Sequence, residues 1–177
     1  MTWRSLDECS ERAPESLLPW LAEPGLLTAR VRAVCGATTK LRLLRLSAAA
    51  MEPALKQRLQ VDDDGCLLRE IEIACGESRW VYANSVFPDS TVRHFPWLRE
   101  LGHSGLGESL SRAEQGVQRE AFEYLQLPAH HELACAADPD GTSADLLWAR
   151  RAVYRLDGWP ILVQEIFLPE IGCCDSG

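Results

Sequence analysis

The chain has 177 residues, a formal net charge of −8 and 46% hydrophobic residues, the size and apolar content of one globular domain with a substantial core. It has no basic block and no Lys/Arg stripe broken by aromatics, which argues against nucleic acid as a partner, because that affinity rests on phosphate neutralisation. No run approaches the roughly 20 apolar residues of a membrane helix, the first residues, Met1 to Cys9, lack the apolar stretch of a signal peptide, and seven cysteines without framework spacing indicate free thiols in a reducing cytoplasm.

Pro14 to Ala22 reads as a short helix with Leu17, Leu18 and Leu21 on one side, ended by Pro24-Gly25. Leu26 to Val34 fits either a helix or a strand. Thr38 to Leu43 alternates polar and apolar residues, as a half-buried strand does. Ala48 to Leu59 has helical character interrupted by Pro53, and Asp62-Asp63-Asp64-Gly65 is a turn. Leu67 to Ala74 is the second strand. Gly76-Glu77 turns it into a third, Trp80 to Phe87, which Pro88 stops.

Leu98 to Leu101 and Leu106 to Leu110 are short helical pieces around a glycine-rich link that suits a hinge. Val117 to Leu127 is the fourth strand, and Pro128 to Asp145 is a loop with a Pro139-Asp140-Gly141 turn. Leu146 to Leu156 and Ile161 to Leu168 are the last two strands, joined at Asp157-Gly158, a strong signal for a tight hairpin. Six strands joined by hairpins and short links must run antiparallel, since a parallel neighbour needs a long crossover. The expected fold is α+β: a single six-stranded antiparallel sheet with short flanking helices, in one domain spanning 1–177.

Two strands carry a charge where an apolar side chain is expected. Side chains alternate faces along a strand, so Arg69 shares a face with Leu67, Ile71 and Ile73, the opposite, wetter face carrying Leu68, Glu70 and Glu72. Glu165 shares a face with Ile161, Val163 and Phe167, and its strand is apolar on both sides, hence central. A charge in such a place is costly unless it is paired or holds a ligand. Two arrangements fit: Arg69 and Glu165 pair with each other or with neighbouring strands, or they stand apart and grip opposite ends of a small molecule. In the second, the planar fork of Arg69 suits a carboxylate, and Glu165 accepts from a hydroxyl or works as an acid or base.

At these residues the chain resembles a known family, the chorismate pyruvate-lyases, which make 4-hydroxybenzoate. The resemblance runs through Leu17-Leu18-Pro19-Trp20-Leu21 with Leu27-Thr28, Leu68-Arg69-Glu70-Ile71, Val86-Phe87-Pro88 with Ser90-Thr91, and Leu101-Gly102 with Leu106-Gly107. It continues through Trp148-Ala149-Arg150-Arg151 and Gly158-Trp159-Pro160 to Glu165-Ile166-Phe167-Leu168-Pro169. It implies a ligand buried under helical flaps, with Arg69 and Glu165 as catalytic and substrate-binding residues and main-chain contacts at Leu27 and Leu106. Leu27 stands where the family commonly has methionine, a change that a main-chain contact survives.

The implied reaction converts chorismate to 4-hydroxybenzoate and pyruvate, feeding quinone (ubiquinone) or other aromatic biosynthesis. The C3–O bond to the enolpyruvyl group breaks, the C4 hydrogen leaves, and the ring becomes aromatic. No cofactor or metal is formally needed. Arg69 is assigned to a substrate carboxylate and Glu165 to the ring hydroxyl, with Arg150 or Arg151 as further candidates for the second carboxylate. The implied partners are chorismate and 4-hydroxybenzoate alone, with no nucleic acid or membrane, acting on a cytoplasmic monomer.

Two alternatives stand beside this reading. One is an effector-binding module, since a similar sheet occurs in bacterial transcription regulators and fold does not settle function. Those modules come attached to a DNA-binding helix-turn-helix domain, for which this acidic chain has no room. The other is a relative making a different hydroxybenzoate isomer. His130-His131 with Cys135 lack metal-ligand spacing, and Asp62-Asp63-Asp64 lacks the further ligands of a calcium loop.

Overall fold

The computed structural model describes residues 2–102, 104–112, 116–141 and 146–173. In chain order the α-helices are α1 (Leu18–Leu21), α2 (Leu27–Cys35), α3 (Pro53–Leu59), α4 (Asp89–His94), α5 (Leu106–Arg112) and α6 (Glu132–Ala137). The strands are β1 (Thr39–Ala50), β2 (Gly65–Cys75), β3 (Ser78–Pro88), β4 (Val117–Arg119), β5 (Glu123–Pro128), β6 (Leu146–Leu156) and β7 (Trp159–Phe167).

All seven strands form one antiparallel sheet in the order β1-β2-β3-β7-β6-β4, with β5 also paired to β6. The sheet therefore has seven strands rather than the expected six. The difference lies in the fourth expected strand, which splits into β4 and β5 at Glu120–Phe122; both halves pair with β6. Glu120 donates its backbone N–H to the Val153 carbonyl beyond the last regular pair. Residues 117–127 alternate polar and apolar side chains only in part, as a strand broken in the middle does.

Other expectations need correction for local reasons. Leu26 to Val34, open between helix and strand, is helical, with Leu27 and Val31 on its buried side. Proline placed at the first helical position starts α3, so Pro53 opens that helix instead of weakening it. The strand before it runs on to Ala50. Beyond Pro88 the chain turns directly into α4, where Asp63 accepts from the Ser90 N–H at 2.8 Å and from its hydroxyl at 2.6 Å. This gives the acidic turn a structural role at a helix start. The segment expected to be a loop from Pro128 to Asp145 contains α6. His131 Nδ1 accepts from the Leu133 N–H at 3.2 Å, and Cys135 Sγ donates to the Ala129 carbonyl. Among the described residues no group of His, Cys, Asp and Glu has the makings of a metal site. No helix of the described residues is long and apolar enough to cross a membrane.

Both faces of the sheet are covered. On one face, α1 and α2 pack over Ile71, Ile73 and Phe167, while α4, α5 and the turn Pro96–Glu100 pack over Leu67, Phe87 and Ile161. On the other face, α6 covers Tyr82, Ala149 and Ile166, and α3 covers Val86, Val153 and Leu162. That second face, expected to be the wetter one, still buries Glu72 to 4% exposure, with Arg42 and Arg79 as its ion-pair partners. Strand β7 is central, as its two apolar faces require.

Cys35 and Cys75 form a disulfide with Cα atoms 5.6 Å apart, linking the end of α2 to the end of β2. This corrects the expectation that every cysteine is a free thiol: a separation of 40 residues carries no spacing signal, and only the fold brings the two together. Closing a loop of that length stabilises by about 2–4 kcal/mol through the unfolded chain. Cys35→Ser is expected to melt lower than the parent in oxidising buffer and to match it in reductant. Equal melting in both buffers would show that the bond adds nothing.

Candidate functional site

Arg69 and Glu165 do not pair with each other. Both line one cavity, of ≈ 50 Å³, set between the sheet and the N-terminal ends of α2 and α5. The cavity lies where the two apolar clusters of this face meet: Ile71, Ile73 and Leu27 come from one, Leu106 and Leu110 from the other. Leu27 and Leu106 thus share a cavity with Arg69 and Glu165. Thr28, Ser85 and Tyr154 complete its polar lining.

Hairpin register places these groups. Arg69 on β2 faces Ser85 on β3, and Ser85 in turn faces Val163 on β7. Glu165, two residues further along β7, is on the same face as Val163 and opposite Arg150 on β6. The roof comes from the two helices. Leu26, just before α2, lies against Gly107 near the start of α5: a Cβ on Gly107 would come within 2.3 Å of Leu26 Cδ2. An Arg32–Glu108 ion pair joins the same two helices.

Arg69 is fully buried. Its Nη2 donates to the carbonyls of Gly102 at 3.0 Å and Ser104 at 2.6 Å, in the link that leads into α5. Its Nε and Nη1 are buried with no hydrogen-bond partner among the described residues. Burial without a counter-ion pulls the guanidinium down to about 10, so it stays charged at neutral pH. Leaving such donors unmet costs about 1–3 kcal/mol each, a cost that an anion in the cavity would offset. The chemistry of these donors is that of a carboxylate receptor.

Glu165 is held differently. Its Oε2 accepts from Arg150 Nε at 2.5 Å, and no hydrogen bond engages Oε1 among the described residues. The carboxylate therefore has one oxygen anchored and one available to the cavity. Tyr154 is pushed up to about 12, first by burial and then by the Glu165 charge. It is a neutral phenol at working pH, able to donate.

The two further arginine candidates do not line this cavity. Arg150 is 1% exposed and spends its donors on Glu165 and on main-chain carbonyls. Arg151 points to the opposite face, where Nε donates to Glu123 at 2.9 Å and the guanidinium lies over the Trp3 ring. At the C-terminal end, Cys173 is exposed and Cys174 lies outside the described residues. Thr28, Ser85 and Tyr154 were not singled out from sequence. Ser85 and Tyr154 are nonetheless on the faces that the hairpin registers assign to the cavity.

Comparison with known proteins places the chain in a family. The chain is similar to probable chorismate pyruvate-lyases of Thiobacillus denitrificans (35% identical, covering 90% of this chain and 86% of the relative) and Methylococcus capsulatus (36% identical, 86% and 94%). Among solved structures it is similar to the effector domain of PhnF from Mycobacterium smegmatis, with a TM-score of 0.59 at 18% identity over 82% of this chain and 90% of that one. The C-terminal domain of the histidine utilization repressor from Pseudomonas syringae gives the same TM-score at 8% identity, over 78% and 97%. These structural likenesses show a shared fold. The family model for chorismate lyase matches residues 1–172, and the chain belongs to the chorismate lyase family.

Proposed function

We propose that this chain is a cytoplasmic, monomeric chorismate pyruvate-lyase, with Arg69 and Glu165 gripping opposite ends of the ligand. One observation carries the reading: a buried guanidinium with two unmet donors shares a cavity with a carboxylate that has one oxygen to spare. Arg69 takes the ring carboxylate in a charge-assisted contact. Glu165 accepts from the ring hydroxyl, with Arg150 keeping its charge in place. Ile71, Ile73, Ala83 and Val163 supply an apolar slot for the ring between them.

Elimination needs no residue to carry electrons. The C3–O bond breaks with its electron pair moving to the enolpyruvyl oxygen, and the C4–H pair becomes the new ring double bond. The C4 proton ends on the methylene carbon of the released enolpyruvate to give pyruvate, with aromatisation driving the step. Orientation of the substrate and exclusion of water are the protein's main contributions. A cavity of ≈ 50 Å³ is small beside the roughly 150 Å³ that accommodates a benzene ring. The roof formed by α2 and α5 therefore opens as a pair of flaps to admit the ligand. Leu27 and Leu106, at the first helical positions of the two flaps, offer main-chain N–H groups that have no acceptor inside their own helices.

The test is incubation of purified protein with chorismate, followed by chromatographic resolution of products. Pyruvate and 4-hydroxybenzoate in equal amounts are expected, above the uncatalysed background. A different hydroxybenzoate would reassign the product. No pyruvate would leave an effector-binding module on the same fold as the better account.

A further inference from the structure

We propose that Arg150 is a positioning residue of the lyase site, setting the Glu165 carboxylate and fixing the root of the first flap through one guanidinium. The inference rests on the lyase reading and deepens it.

Arg150 is among the largest fully buried side chains of the protein, at 1% exposure. Burying a guanidinium demands that its donors be met. Nε meets Glu165 Oε2 at 2.5 Å. Nη1 is directed at three carbonyls of one short segment: Trp20 at 3.3 Å, Leu21 at 3.1 Å and Glu23 at 2.7 Å. The Phe122 ring lies 4.2 Å from the guanidinium carbon, adding a cation–π contact away from water. Such a set uses the planar fork of arginine, which a single ammonium does not reproduce.

Those carbonyls close α1 and lead directly into the first flap. Glu23 continues the connection: its carboxylate accepts from the Gly25 N–H at 2.8 Å and from Arg30 of α2 at 2.7 Å. Two residues beyond Gly25 stands Leu27, in the cavity wall. The second flap is rooted in a comparable way. Arg69 Nη2 holds the Gly102 and Ser104 carbonyls immediately before α5. Each flap root thus ends on a buried arginine, and each arginine serves one end of the cavity. Arg69 faces the ligand itself, whereas Arg150 works through Glu165.

A residue that acts through Glu165 should matter only while Glu165 is present. The experiment is a double-mutant cycle on turnover with Arg150→Met, Glu165→Gln and the combination, accompanied by Arg150→Lys and by binding of 4-hydroxybenzoate. Arg150→Met is expected to lower kcat by about 10- to 100-fold in the parent and by less than about twofold in the Glu165→Gln background, because residues in one network are not additive. Arg150→Lys should recover part of kcat, and KM should move less than kcat. Equal losses in both backgrounds, or no loss in either, would overturn the assignment.

If Arg150→Met does not fold, the cycle is run with Arg150→Gln and Arg150→Lys, read on the same two quantities. Parent protein that neither binds 4-hydroxybenzoate nor forms pyruvate overturns the lyase reading as well. An active parent with an additive cycle overturns the role of Arg150 alone.

Discussion

Arg69→Met is expected to weaken binding of 4-hydroxybenzoate by roughly 10- to 150-fold, the equivalent of a charge-assisted contact of about 1.5–3 kcal/mol. The substitution keeps an unbranched apolar stem and removes a cation buried with two donors unmet. Replacing such a buried charge with a hydrophobic side chain is often neutral or stabilising. The loss of the Gly102 and Ser104 carbonyl contacts opposes that gain. Thermal stability should therefore change far less than affinity. Isothermal titration with 4-hydroxybenzoate and a parallel melting curve check both halves. Unchanged affinity would remove Arg69 from the site, and collapse of the fold would make it a core residue.

Glu165→Gln should show the opposite balance. Shape and hydrogen-bonding capacity remain, so the product should still bind. The carboxylate charge that faces the ring hydroxyl and satisfies Arg150 is gone. Turnover is expected to fall by about 100-fold or more, as for other side chains that hold a proton in the transition state. Arg150, still buried and deprived of its counter-ion, costs about 1.5–3 kcal/mol of stability. At roughly 2–4 °C per kcal/mol for a chain of this size, melting should drop by several degrees. Steady-state kinetics and calorimetry on the same preparation decide it. A variant that turns over like the parent would refute the role of Glu165, whatever its stability.

The two variants together separate a residue kept for a ligand from a residue kept for the fold. Arg69 carries unmet donors, and its replacement should spare stability. Glu165 is met by Arg150, and its replacement should not.

Much of this site was legible along the chain. Alternation put Arg69 on the face of Leu67, Ile71 and Ile73, and put Glu165 on the face of Val163, because strand periodicity is local and needs no knowledge of partners. The Asp157-Gly158 turn was equally local. Both residues adopt positive φ, 47° and 90°, and the strands they join are in register from Trp159–Leu156 outward. That register already held a pairing that sequence reasoning left unused: Arg150 lies seven residues before the turn and Glu165 seven after it. Counting outward from the hairpin would have set them opposite each other and distinguished Arg150 from Arg151 by face.

What the chain determines by itself is therefore the content of each strand face, the hairpins and the two charges set among apolar neighbours, since these follow from backbone geometry over a few residues. Only the tertiary structure decided that Arg69 and Glu165 stand apart across one cavity and that Arg150 is spent on the carbonyls of Trp20, Leu21 and Glu23. The same holds for the Cys35–Cys75 link and for the break between β4 and β5. Each joins or separates groups distant in sequence or depends on how a strand curves against its neighbour. Such contacts form when apolar faces are buried together, a non-directional force that leaves no periodic mark on the segments it unites.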